Sequence, residues 1–200
     1  MKRTTPMPAI FKGSTVKRTR ELEAAGFSRV QLQAAVKAGR VARVGRGLYR
    51  LPDSEVSEHH SLALAAKRAP QGVVCLLSAL RFHGLTTQSP HEIWLALPKH
   101  SWQPQADGLP LRFCWFSGEA LSEGIKTHLI EGVPVRVYSP AKTVADCFKY
   151  RGKIGLDVAL EALRETWRER RCTMDELMRY ARICRVANVI RPYLEALTGT

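Results

Sequence analysis

Acidic residues are nearly missing from the first quarter of this 200-residue sequence. Residues 1–50 hold twelve lysines and arginines against only Glu21 and Glu23, a balance of 12 − 2 = +10. The chain as a whole carries +13, so the remaining residues supply only 13 − 10 = +3. That balance points toward polyanions, with a plain basic, solvated face as the alternative reading. Long apolar runs are also missing. None approaches the roughly 18–20 residues that cross a bilayer, so no membrane-spanning helix and no membrane partner are expected. The opening MKRTTPMPAIFKG is basic but has no continuous apolar stretch, so no secretory signal is expected there. The five cysteines, Cys75, Cys114, Cys147, Cys172 and Cys184, form no CxxC pair. They make no Cys/His set with zinc-ligand spacing, which excludes a zinc finger and leaves them as small apolar residues of a reducing, cytoplasmic protein. Hydrophobic residues nevertheless make up 45% and charged residues 24%. That composition can bury a core and excludes wholesale disorder.

Catalytic patterns are equally scarce. GxxxxGK[ST], GxGxxG, GxSxG and HExxH are all absent. Gly13-Ser14 followed by Glu21 and Glu23 faintly resembles a nucleotidyltransferase pattern. Those two acids fall in the first turn of a helix, however, rather than on a metal-holding strand. Glu92 sits on a strand without the lysine two residues on that a metal-dependent nuclease needs, because position 94 is Trp. His59 and His60 read as exposed and lack a third ligand, and His83 reads as a helix-end packing residue. Lys142 and Asp146, four apart, read as an intrahelical ion pair. No catalytic residue, cofactor or metal is expected, and the protein is not expected to be an enzyme.

The basic opening is organised. A helix is predicted from Thr19, as N-cap, to about Ala25, with Glu21 and Glu23 suited to its dipole. Gly26 breaks it. Ser28 with Gln31 forms a capping box for a second helix, which Gly39 closes. Two short helices across a tight turn make a helix-turn-helix. On the second helix Leu32, Ala35 and Val36 share one face, while Val30, Gln33, Ala34 and Lys37 face away and Arg29 and Gln31 project from its first turn. That outer face, small at Ala34 and polar around it, fits a major groove, where Gln pairs with adenine edges and Lys or Arg with guanine edges or phosphates. Gln31 has two readings, base reader or simple cap. Next, VARVGRGLYRL (41–51) reads as a hairpin with Gly45-Arg46-Gly47 at its tip, a wing that presents Arg46 between Arg43 and Arg50. The DNA-binding set is therefore Lys17, Arg18, Thr19, Arg20, Ser28, Arg29, Gln31, Gln33, Lys37, Arg43, Arg46 and Arg50. Before it, residues 9–12 read as a short first helix.

Pro52 and the acidic DSEVSE stretch mark a boundary, giving domains 1–52 and 53–200. In the second, residues 57–68 read as a helix and 73–77 as a strand. Ser78 caps SALRFHGL, a helix that ends at Gly84. Strands are predicted at 91–97, 111–116, 125–130 and 133–139, the last two joined by Glu131-Gly132. Ser139-Pro140 starts a helix to about Tyr150. Helices follow over 156–170, from a Thr173/Glu176 capping box through Cys184, and on to about Leu197 with Pro192 near a kink or a start. Trp94, Trp115 and Trp167 read as core, and Trp102 as exposed. The fold class is α+β: an N-terminal winged helix-turn-helix followed by a mixed α/β domain with a helical C-terminal end.

Three stretches carry a family resemblance: AGRVARVGRGLYRLP (38–52), SALRFHGLTTQSPHEIWLALP (78–98) and SPAKTVADCFKYRGKIGLDVALEALRE (139–165). Behind the helix-turn-helix, in this order, they resemble the AbiEi-type antitoxins of type IV, abortive-infection toxin–antitoxin systems. That resemblance implies a bacterial, cytoplasmic repressor that binds promoter inverted repeats in double-stranded operator DNA. It also implies a C-terminal domain that opposes a nucleotidyltransferase-like toxin without a stable complex. A solitary winged-helix regulator, a DNA-targeted nuclease-like enzyme and an antitoxin that sequesters its toxin directly are the rival readings.

Overall fold

The structure, a computed structural model, describes residues 6–104 and 108–199. Lys2 and Arg3 of the basic opening lie outside them. Two compact units form. The first comprises residues up to 71 with 104–110 and 128–135; the second comprises 72–103, 111–127 and 136 onward. The boundary read at residue 52 falls inside the first unit.

The first unit runs α1 (Met7–Ile10), β1 (Lys17–Arg18), α2 (Thr19–Ala24), α3 (Arg29–Lys37), β2 (Ala42–Gly45), β3 (Leu48–Arg50) and α4 (His60–Arg68). Two helices and a tight turn make the helix-turn-helix. Gly26, at φ +98°, takes the turn between them in a conformation L side chains avoid. α2 starts at Thr19, but Arg18 rather than Thr19 holds the cap position, and the Glu21 carboxylate accepts the Arg18 N–H at 2.7 Å. The Ser28/Gln31 box forms as read: Ser28 Oγ accepts the Gln31 N–H, and the Gln31 side chain accepts the Ser28 N–H at 2.8 Å. Leu22, Leu32, Ala35, Val41 and Phe11 pack a small core. Each buried leucine there contributes roughly 1.5–3 kcal/mol.

The hairpin β2–β3 gains a strand the sequence did not suggest. β1 pairs antiparallel with β3, Lys17 opposite Tyr49 and Arg18 opposite Leu48, giving the order β1-β3-β2. The Thr19 N–H also bonds the Gly47 carbonyl at 2.9 Å. The start of α2 is thereby stitched to the hairpin tip, in an arrangement consistent with a winged helix-turn-helix. α4 begins three residues later than expected, at His60, and His60 is not exposed. Its Nδ1 lies 2.7 Å from Glu131, whose carboxylate also accepts the Ser57 N–H and hydroxyl. Burial pushes the Glu131 carboxyl up, but these hydrogen bonds outweigh it and hold the group below its ordinary value.

The chain continues with β4 (Val73–Val74), α5 (Leu76–His83), β5 (Ile93–Pro98), β6 (Leu111–Phe116), α6 (Glu119–Ser122), β7 (Ile125–Ile130), β8 (Val133–Tyr138), α7 (Pro140–Lys149), α8 (Arg151–Ile154), α9 (Leu156–Arg168), α10 (Met174–Ile183) and α11 (Ala187–Thr198), all in the second unit except residues 128–135 of β7, β8 and their turn. The strands form a mixed sheet in the order β6-β5-β4-β8-β7, parallel between β5 and β6 and between β4 and β8. The turn between β7 and β8 uses Glu131 and Gly132, both at positive φ, as the hairpin reading required, and it belongs to the first unit.

Two readings change here. The strand expected over 73–77 stops at Val74, and the next helix starts at Leu76, so Ser78 is not a cap. It is buried inside α5, where its hydroxyl accepts the Trp94 N–H at 2.9 Å. α7 is buried along Ala141–Phe148 rather than on one face. The Lys142–Asp146 pair is formed but inside the core: Lys142 Nζ sits 2.7 Å from both carboxylate oxygens and 4.1 Å from the Tyr138 ring centroid. Pro192 lies within α11.

Candidate nucleic-acid interface

α3 presents most of the face read from its periodicity, except that Val36, read with the inner face, is only half-buried and lines the groove beside it. Leu32 and Ala35 are fully buried on the α2 side, while Val30, Gln33, Ala34 and Lys37 are exposed. That exposed face forms one wall of a groove of about 930 Å³. The start of α2 supplies Thr19 and Arg20, α3 supplies Arg29, Gln33 and Lys37, and the hairpin supplies Arg43 and Arg46. Five cations thus line it with a single acid, Glu23. Arg29 meets that acid in an exposed ion pair at 2.9 Å. Arg20, Gln33 and Lys37 make no hydrogen bond or ion pair within the described residues. The Thr19 hydroxyl is turned to the Gly47 carbonyl, 3.4 Å away, and helps fix the hairpin tip beside α2.

The basic surface continues around the tip. Arg18, Arg20, Arg46, Lys67 and Arg68 line an adjoining hollow of about 220 Å³. Burial first, and then the neighbouring charges of Arg20 and Arg68, push the Arg18 guanidinium below its ordinary value. The charges here are close enough to repel. Lys67 is neutralised by Glu21 at 2.7 Å, and the Arg68 Nη1 donates to the Arg46 carbonyl at 3.2 Å. Arg68 was missed by sequence reasoning. It belongs to a helix far along the chain, and only its position at the end of a Lys-Arg pair hinted at a role.

Five of the twelve expected residues do not line the groove. Lys17 and Arg18 are half-buried in β1. Ser28 and Gln31 are occupied with each other at the start of α3, which favours the cap reading of Gln31. Arg50 is tethered: its Nη1 donates to the carbonyls of Leu51, Pro52 and Ser54 and to the Ser54 hydroxyl at 3.1–3.2 Å. Through that one nitrogen it closes the chain's turn out of β3.

Such a surface has the chemistry of a duplex reader. A helix of this width enters a major groove roughly 12 Å wide, and the hairpin alongside carries a cation at its tip. Among the described residues no group of three or more His, Cys, Asp and Glu side chains is placed to hold a metal ion. No described helix is long and apolar enough to cross a membrane.

Residues 18–52 match a family model described as transcriptional regulator, AbiEi antitoxin. The matched segment begins in β1 and ends just past β3, so it contains the helix-turn-helix and its hairpin. No curated protein matches the chain.

Proposed function

We propose that this protein is a transcriptional repressor that binds double-stranded operator DNA through α3 and the β2–β3 hairpin, and that it serves as the antitoxin of a type IV system. One observation carries the DNA half: Arg20, Gln33, Lys37 and Arg46, drawn from three elements, line a single groove with only one acid. α3 lies in the major groove with Gln33 at base edges and Arg29 and Lys37 at bases or phosphates. Arg46 reaches the backbone or the adjacent minor groove, and Arg20, Arg43 and Lys17 hold phosphates. Arg18 and Arg68 add to the field, while Ser28, Gln31, Thr19 and Arg50 hold the elements in place. Inverted repeats in the promoter of its own operon are the target.

The antitoxin half rests on the family of the matched segment and on the resemblance of residues 78–98 and 139–165. The partner is a nucleotidyltransferase-like toxin, opposed without a stable complex. The match is confined to residues 18–52, which keeps a solitary regulator as the second reading. Binding of a fluorescent fragment of the promoter upstream of its gene, against a scrambled duplex, tests the first half. Preference for the promoter with a steep salt dependence is expected; equal, weak binding to both duplexes overturns it. Co-expression with a downstream nucleotidyltransferase-like gene tests the second: rescue of growth without co-purification is expected.

A further inference from the structure

The second unit holds a cavity that the DNA reading leaves without a task. Its volume is about 610 Å³, within the range of small-molecule sites. Two parallel strands open onto it at their carboxyl ends: Lys99 directly follows β5, and Ser117 and Gly118 directly follow β6. That edge of a parallel pair is where α/β folds commonly bind ligands.

Four cations line it, Lys99, Lys149, Arg182 and Arg185, all exposed, and none of their side chains has a hydrogen bond or carboxylate partner within the described residues. Glu119 is the only acid on the rim. Asp146 forms part of the floor, and its charge is met from below by Lys142. The lining therefore carries 4 − 1 = +3 once that pair cancels. One basic residue at a helix end offsets the helix dipole. Here the last turns of α7 and α10, the residue after the α10 cap and the end of β5 bring four together.

The walls also hold aromatic surface. Tyr150 stacks on Phe116 with ring centroids 5.4 Å apart. Trp115 was expected in the core, yet it is 40% exposed and lines the cavity. Cations for phosphates and an exposed indole for a flat base meet in one place.

We propose that this cavity binds a nucleoside polyphosphate, its phosphates held by Arg182, Arg185, Lys149 and Lys99 and its base set against Trp115. The full-length protein titrated calorimetrically with each of the four ribonucleoside triphosphates, inorganic pyrophosphate and the free nucleosides tests it. At least one triphosphate binds with a Kd at or below about 1 mM, and its nucleoside and pyrophosphate bind at least about tenfold more weakly. Arg182→Ala with Arg185→Ala weakens the triphosphate at least about tenfold, and Trp115→Ala weakens it while sparing pyrophosphate. Arg164→Ala, an exposed cation on α9 away from the cavity, changes nothing, and all variants keep the native thermal transition. Lys37→Ala with Arg46→Ala, in the other unit, keeps nucleotide binding. Absence of binding, equal affinity for pyrophosphate, insensitivity to the arginine double variant, or loss of binding in the Lys37/Arg46 variant would each overturn the proposal. None of these outcomes bears on operator binding, which is measured separately.

Discussion

One group of cations in the first unit and one cation in the second are held in opposite ways. The first displays them: Arg20, Lys37 and Arg46 stand on an exposed face with almost no acid nearby. The second encloses one: Lys142 lies in the core of α7, fully paired with Asp146 and stacked on Tyr138. A displayed charge costs little to hold and is available to a polyanion. A buried one must be matched where it stands, since several kcal/mol of lost hydration falls on each ion. Exposure, rather than charge count, separates residues that serve a partner from residues that serve the fold.

That contrast is broken most severely at the enclosed pair. Lys142→Met leaves the Asp146 carboxyl buried and unmatched, driven toward its protonated form, and about 3–5 kcal/mol of unfolding free energy is lost in urea titration. Adding Asp146→Leu recovers most of it. Losses that simply add would show that the two side chains are not a unit.

A smaller effect separates a tethered cation from a displayed one. Arg50→Ala removes charged hydrogen bonds to three carbonyls and lowers stability by about 1–2 kcal/mol, with a modest change in DNA affinity. Arg46→Ala lowers DNA affinity more than Arg50→Ala does. If Arg50→Ala abolishes DNA binding at unchanged stability, the tether has been misassigned.

Within the groove the difference is finer still. Arg20→Ala and Lys37→Ala each flatten the log–log salt dependence of DNA affinity by about 0.9. Arg29→Ala flattens it less, because Glu23 already shares that charge. Fluorescence anisotropy between 50 and 200 mM salt, roughly the span over which such contacts are lost, reads all three.

The smallest effect is in the carboxyls. Glu131 is held below its ordinary value, so its hydrogen bonds stabilise the fold above the unfolded value of about 4.3 and that contribution is lost as pH falls through it. Burial pushes Asp146 up to about 6, so its protonation favours the fold, and its contribution falls as pH rises from about 4 to 6. Glu131→Gln should narrow its gap from the unsubstituted protein as pH drops from 6 to 3. A gap that widens toward acid pH contradicts the assignment.

What could be read ahead of the coordinates followed local chemistry. Ser28 with Gln31, Gly26, Gly39 and the glycines around Arg46 specify α3 and the hairpin through bonds and angles within a few residues. The outward face of α3 followed from its period. What could not be read depends on distant partners. β1 is two residues long and exists because β3 offers it a ladder. Arg50 looked like its neighbours until Pro52 and Ser54 turned their oxygens toward it. Arg68 reaches the hairpin tip from α4. The Lys142–Asp146 spacing was plain, but its burial came from helices packed over both faces of α7. Ser78 looked like a cap because a helix can start there; α5 started earlier, and the hydroxyl found Trp94 instead.

The most direct measurement is a gel shift of the promoter duplex with Lys37→Ala combined with Arg46→Ala in the full-length protein. Retained folding by circular dichroism with a sharp loss of promoter affinity is the expected result. Unchanged affinity in that well-folded double variant would contradict the assignment of α3 and the hairpin as the DNA-reading surface.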